Sequence, residues 1–438
     1  MKLIQILADI ICKTLLDPEA LARSRNHKGA FTRNCGKLPY WTLVKLLLSN
    51  VRKTISASLN EFFHELCLSS GAPLPDTVKC SQQAFSKARS GISHFIFKEC
   101  FERMLDFLCS RDSLDSHARF TGVWGRQIIA IDGSKIPLPA RKALLEKYGS
   151  TGRASNSPTA IASVAFDVLN DRILDAQFEP VSVDERTLAI RHMENIKSKA
   201  RTNLLYTMFV FDRGYASKNL ISYIEDVIHA RYLFRLRSKF NTDMDALPAP
   251  PDHNGISDNI LILDGRKIRV LKFYLPSGVL ETLITNDFDL DKEKFRQCYF
   301  LRWPVEESYK LIKEKIGLTN FRGYSENSVL QEFWISMLLS NLALTIKRET
   351  DGIIDSTINQ KENKHRYMTN RNELVGYLSR HFGEYMDADT LTENFSIIRC
   401  IFDFAISHRV RDKKGSGESS LRTIPRKVKH HYNNKSTH

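Results

Sequence analysis

The chain has 438 residues, with 64 Lys and Arg against 50 Asp and Glu, and a formal net charge of +14. At about 100–200 residues per domain this length allows two to four domains. A content of 42% hydrophobic and 26% charged residues excludes wholesale disorder. No run approaches the roughly 18 uninterrupted apolar residues of a membrane span, so no membrane partner is expected. A pI near 9.3 favours a polyanionic partner; a basic protein without one is the plainer alternative.

The first residues, MKLIQILADIICKTLL, begin like a signal peptide. Gln5, Asp9 and Lys13 interrupt the apolar stretch, however, and no small-residue cleavage site follows, so an amphipathic helix fits better. The eight cysteines are too scattered for a zinc site or a CxxC pair, and read as reduced thiols of a cytoplasmic protein. Residues 1–118 are predicted helical, from heptad-like apolar spacing in segments 38–51, 58–68 and 92–110.

The pattern changes near residue 120. Gln127–Asp132 (QIIAID) reads as a strand ending in a carboxylate and bounded by Gly133. Ala160–Val168 and Arg172–Phe178 read as strands joined by a turn at Leu169-Asn170-Asp171, and Asp184–Lys199 as a helix. Tyr206–Asp212 (YTMFVFD) is a second buried-type strand ending in Asp, followed by a helix over Ser217–Ala230 and a strand over Tyr232–Arg237. This alternation predicts a mixed α/β core. Residues 238–290 break the rhythm with a hairpin turning at Asp264-Gly265 and a third strand, which reads as a β-rich insertion. Helical character returns from Asp291 to about 407, with a gap around 350–368, and the Lys/Arg-rich segment from Arg411 reads as a disordered basic tail.

Two carboxylates, Asp132 before Gly-Ser and Asp212 before Arg-Gly-Tyr, therefore stand at ends of buried strands. Ligands of open sheets commonly bind at such an edge, and a turn or helix-capping Asp is the ordinary alternative. The segment YFLRWPVEESYKLIK carries Tyr299, Arg302, Glu306 and Lys313. At about 100° per residue these four fall within roughly 60° of one helical face. A carboxylate between two cations and a phenol suits metal coordination beside a phosphate backbone, with Glu306 on the metal and Arg302 and Lys313 on phosphate. A solvated face of i,i+4 ion pairs is the alternative, and Pro304 is expected to start or kink the helix. Asp167 and Asp175, on strands beside the first Asp, read as turn or strand-end carboxylates, with groups supporting the site as the alternative; Asp184 and Glu185 read as acids opening a helix, and His192 as part of no ligand cluster.

Asp132 in IDGS, Asp212 in FDRGY and Glu306 in the YFLRWPVEESYKLIK segment together resemble the Asp-Asp-Glu triad of bacterial insertion-sequence transposases. More narrowly, the chain resembles the group with a Tyr-x2-Arg-x3-Glu-x6-Lys signature, matched at every fixed position. The likeness runs from about residue 25 to about 410. It implies an RNase H-like catalytic core over 119–325, interrupted by the 238–290 insertion. It further implies a helical DNA-binding region over 1–118, a helical C-terminal region over 326–410 and the tail at 411–438.

The implied activity is metal-dependent DNA strand cleavage and strand transfer at terminal inverted repeats, through hairpin ends. Asp132, Asp212 and Glu306 would hold two Mg²⁺, with Mn²⁺ able to substitute, while Tyr299, Arg302 and Lys313 would hold DNA. Transposon-end and target DNA are the implied partners, a homodimer the implied synaptic state, and the bacterial cytoplasm the implied location. A catalytically inactive DNA-binding derivative and an RNase H-like nuclease are the alternatives. Some relatives stack a flipped base on a Trp of the insertion, where this chain has none; Phe273 or Tyr274 could substitute, though each reads more simply as a packed strand aromatic.

Overall fold

The computed structural model describes residues 1–31, 38–49, 55–70, 80–114, 125–151, 157–300, 321–359, 365–388 and 390–412. The chain divides into two compact units, one of residues 1–104, 136–159 and 310–438, the other of residues 105–135 and 160–309.

The first unit is mainly helical. In chain order it includes α1 (Lys2–Leu16), α2 (Pro18–Arg23), α3 (Tyr40–Ser49), α4 (Ile55–Ser70), α5 (Gln82–Ser90), most of the leading part of α6 (Phe95–Leu114), and α7 (Lys142–Tyr148). The amphipathic reading of the N-terminus holds: Leu3, Ile4, Leu7, Ala8, Ile11 and Leu15 form the buried stripe of α1. Near its C-terminal end the unit gains a 32-residue helix, Glu326–Thr357, started by a capping box in which Ser325 and Ser328 satisfy each other's backbone. By length and composition this helix could cross a membrane, but 94% of its apolar window is buried within the protein, which makes it a core helix. The helices Arg371–Asp387 and Leu391–Ser407 pack against it. Arg411, where the sequence predicts a tail, lies in a short strand (Arg409–Arg411) paired with Tyr367–Thr369, and residues 413–438 lie outside the described residues.

The second unit is built on a mixed eight-stranded sheet. Its strands are β1 (Gln127–Pro137), β2 (Thr159–Asp167), β3 (Arg172–Pro180), β4 (Thr207–Phe211), β5 (Arg231–Arg235), β6 (Ile256–Leu263), β7 (Arg266–Tyr274) and β8 (Leu280–Thr285), in the order β3-β2-β1-β4-β5-β8-β7-β6. Strands β1, β4 and β5 are parallel. Their apolar residues are buried without alternation, as expected of parallel strands covered on both faces. Strands β2 and β3 form an antiparallel hairpin, so the first five strands have the order and directions of an RNase H-like core. Its turn is closed by Asp167, whose Oδ1 accepts from the backbone N–H of Leu169 and Asn170, each at 3.1 Å. Asp167 is thus the turn carboxylate that its position predicts.

The hairpin of β6 and β7 turns at Asp264 and Gly265, with φ of 50° and 79°. Two successive left-handed residues make the tight turn whose twist matches the strands. Strand β8 pairs with β5, so the strands of the 238–290 segment continue the central sheet. One detail differs from the sequence reading. Asp132 does not end its strand, because Gly133 does not take the left-handed conformation and β1 continues to Pro137.

Candidate active site

The site is positioned by register. Strands β1 and β4 pair from Gln127↔Thr207 to Ala130↔Val210, an offset of 80 residues. Asp132 and Asp212 have that same separation. Each therefore lies two residues beyond the last pair of this ladder, Asp132 within β1 and Asp212 just past the end of β4, on strands spaced about 4.8 Å. Apolar packing of QIIAI and TMFVF in the core thereby fixes where the two carboxylates stand.

Asp212 has one oxygen, Oδ1, shielded from water and without a hydrogen-bond partner. Arg235 Nη1 lies 3.5 Å from it, close enough to pair electrostatically but not aligned to donate. The guanidinium instead grips Glu281, with Nε donating to Oε2 at 2.7 Å and Nη2 donating to Oε1. Arg213 Nη2 donates to the same carboxylate at 2.7 Å. Glu281 is 1% exposed, so it anchors two arginines beside Asp212. A carboxylate oxygen held dry and unsatisfied suits a hard cation, which takes oxygen ligands.

Tyr215, three residues after Asp212, is 2% exposed and its hydroxyl also lacks a partner. Burial, then the charges of Asp132, Glu185, Asp212 and Asp184, push its phenol well above the ordinary value, so it stays protonated. All four acids therefore lie within electrostatic reach of this phenol.

Glu185 was not singled out as functional by its sequence position. It lies in the first turn of the helix Glu185–Ser198, which Asp184 caps by accepting from Arg186 N–H. A Cβ placed on Gly133 would stand 3.3 Å from Glu185 Oε1, and one on Gly214 would stand 3.8 Å from Oε2. The glycines following the two strand carboxylates thus make room for this third acid. Arg186 Nη2 donates to the Gly214 carbonyl at 3.0 Å, and Arg237 Nη2 would be 3.7 Å from a Cβ on Gly214. Arg186, Arg213, Arg235 and Arg237 make this a carboxylate pair beside four planar cations, an arrangement suited to phosphate.

Tyr299 lies in the helix Lys292–Phe300 and is buried. The Arg235 guanidinium is 5.5 Å from its ring centroid, so one arginine joins Tyr299 to Asp212. Phe273 packs against Tyr299 at 6.0 Å between ring centroids and is 1% exposed, as a core strand aromatic; Tyr274 packs against His253. Arg302, Glu306 and Lys313 lie outside the described residues, as does Pro304. Among the described residues no three His, Cys, Asp or Glu side chains are grouped closely enough to hold one metal ion.

Two neighbouring parallel strands of an RNase H-like sheet thus lead into Asp132 and Asp212, with arginines close to Asp212. The family described as Transposase DDE domain matches residues 123–342, half of the chain, and includes every strand of the sheet. The chain belongs to this DDE transposase family. No curated protein sequence matches it. Among solved structures the fold is similar to that of a piggyBac transposase in a cryo-EM synaptic complex with hairpin DNA. That similarity has 10% sequence identity and a TM-score of 0.48, and covers 91% of this chain and 85% of that chain.

Proposed function

We propose that this chain is the DNA transposase of an insertion sequence of the Tyr-Arg-Glu-Lys signature group, cutting at the element's terminal inverted repeats and joining the freed end to target DNA. The observation that carries this reading is the β1–β4 register that leads into Asp132 and Asp212, with Asp212 Oδ1 dry and unsatisfied, inside a DDE transposase domain.

Asp132, Asp212 and Glu306 would hold two divalent cations, Mg²⁺ or Mn²⁺. When bound, these cations would polarise the phosphate, activate the attacking oxygen and stabilise the leaving one. The chain's own residues orient the DNA. Arg213, Arg235 and Arg237 offer planar donors to phosphate oxygens, and Glu281 keeps two of them from collapsing onto Asp212. Tyr299, Arg302 and Lys313 would hold the terminal nucleotides. Tyr215 keeps its proton among the acids and can donate to a carboxylate. Two ends must be gathered for joining, which favours a homodimer on DNA, in the cytoplasm of a bacterium.

The test is a denaturing gel of end-labelled terminal-repeat duplex incubated with the full chain and Mg²⁺. Products with a free 3′-OH, their hairpin form and their joints to target DNA support the proposal in turn. Binding of the repeats with no cut would favour the inactive DNA-binding derivative, and cutting without joining the nuclease.

A further inference from the structure

Behind the site lies a buried polar chain that the chemistry above does not use. Asp175 on β3, His192 on the helix Glu185–Ser198 and Ser163 on β2 are 3%, 0% and 0% exposed. His192 Nδ1 is 2.6 Å from Asp175 Oδ2, and His192 Nε2 is 2.9 Å from Ser163 Oγ. Ser163 Oγ in turn donates to the backbone carbonyl of Asp132 at 3.0 Å. The far end is secured by Asn195 Nδ2, 3.2 Å from Asp175 Oδ2, and by Arg201, whose Nη1 is 3.9 Å from Asp175 Oδ1.

The protons in this chain can be counted. A carbonyl oxygen only accepts, so the bond to Asp132 uses the single hydroxyl proton of Ser163. His192 Nε2 must then be the donor to Ser163 Oγ. Asp175 accepts from Nδ1. Both ring nitrogens thus face oxygen atoms, Asp175 Oδ2 on one side and Ser163 Oγ on the other. Burial would raise the Asp175 carboxyl, but the hydrogen bond and charge of His192, with Asn195 and Arg201, hold it below the ordinary value.

We infer that Asp175, His192 and Ser163 are positioning residues that fix the Asp132 peptide, and so aim its carboxylate, through a one-way chain of hydrogen bonds. The charge on Asp175 sets the direction of every bond in it. With a neutral partner His192 would lose the Nε2 proton, Ser163 would turn to donate to that nitrogen, and the Asp132 carbonyl would be released. Asp175→Asn therefore leaves each side chain in place and reverses the chain. The inference rests on Asp132 being a site carboxylate, as proposed above.

The experiment combines three readouts on the full-length protein: ¹⁵N-histidine NMR, with His192→Gln to assign the resonance; Mn²⁺ affinity by electron paramagnetic resonance; and cleavage of terminal-repeat duplex. In the unaltered protein both His192 nitrogens are expected at protonated shifts, and in Asp175→Asn Nε2 moves to an unprotonated one. Ser163→Ala and Asp175→Asn should each weaken Mn²⁺ binding and slow cleavage by about 10–100-fold, the usual cost of losing a group that orients a ligand. The double variant should be no worse than either, because both break one chain. A bare Nε2 in the unaltered protein overturns the inference. So does Mn²⁺ affinity that survives in both variants while only thermal stability falls, provided Asp132→Asn abolishes it. If Asp132→Asn also leaves Mn²⁺ binding and cleavage intact, the reading of the site itself fails, and the positioning role with it.

Discussion

Arg235 stands 3.5 Å from Asp212 Oδ1 but gives its hydrogen bonds to Glu281. The carboxylate just past β4 is thereby kept open by another carboxylate on β8. Glu281→Gln should let Arg235 swing onto Asp212 and close the oxygen. Mn²⁺ affinity, measured by titration, should fall several-fold. Stability should drop by about 1–3 kcal/mol, less than for a wholly buried pair because Arg235 and Arg213 can reach water. Unchanged Mn²⁺ affinity would mean that Glu281 does not hold Arg235 away.

In the helical unit, Arg89 is 3% exposed and donates to Gln331 Oε1 at 2.7 Å and Glu332 Oε1 at 2.9 Å. Glu332 also accepts from the backbone of Arg322 at 2.9 Å and Gly323 at 3.0 Å. Replacing Arg89 by Met leaves the buried Glu332 carboxylate with Arg322, 3.9 Å away, in place of a hydrogen-bonded cation. A loss of about 3–5 kcal/mol is expected from chemical denaturation. A loss under about 1 kcal/mol would show that Glu332 is satisfied by the backbone and Arg322.

Acid should unfold the sheet unit through Asp287. Burial works to raise this carboxyl, but the hydrogen bond of Arg126 at 2.7 Å and the charges of Arg126 and Arg231 hold it below the ordinary value. Its contribution to stability is therefore full above the unfolded value of about 4 and is lost as pH falls through the lower folded value. Asp175 acts with the same sign. Melting temperature should fall steeply below about pH 4, and Asp287→Asn should flatten that limb while lowering stability at neutral pH. A limb of unchanged slope would assign acid unfolding to other groups.

A Cβ on Gly133 would meet Glu185 Oε1 at 3.3 Å, the far end of a flexible side chain. Gly133→Ala should therefore cost well under 1 kcal/mol in melting experiments, yet displace Glu185 and slow end cleavage. Equal rates for the two proteins would show that the placement of Glu185 is incidental.

Much of the sheet was legible because its strands are continuous apolar runs with turn residues between them. The Asp132 and Asp212 positions followed from those runs, and the 80-residue spacing of the two acids equals the register offset of the strands that lead into them. The hairpin at Asp264-Gly265 was legible for the same reason: its turn chemistry is local. What escaped the sequence is tertiary. His192 looked like an isolated histidine on a helix, and its partners Asp175 and Ser163 lie 17 and 29 residues away on two strands. Glu185 passed for a helix-opening acid, which it is, and its second relationship to Gly133 and Gly214 exists only once β1 and β4 are side by side. The pairing of β8 with β5, which carries the 238–290 segment into the main sheet, has no local signature either.

The central claim is that Asp132, Asp212 and Glu306 form one metal-dependent cleavage site. The most direct measurement is single-turnover cleavage of terminal-repeat duplex in Mg²⁺ by the unaltered protein and by Asp132→Ala, Asp212→Ala and Glu306→Ala, with binding of the same duplex measured alongside. The expected result is duplex binding within a few-fold of the unaltered protein and cleavage lost in all three variants. Cleavage that persists in any one of them would contradict the assignment of that carboxylate, and persistence in all three would place the chemistry elsewhere in the chain.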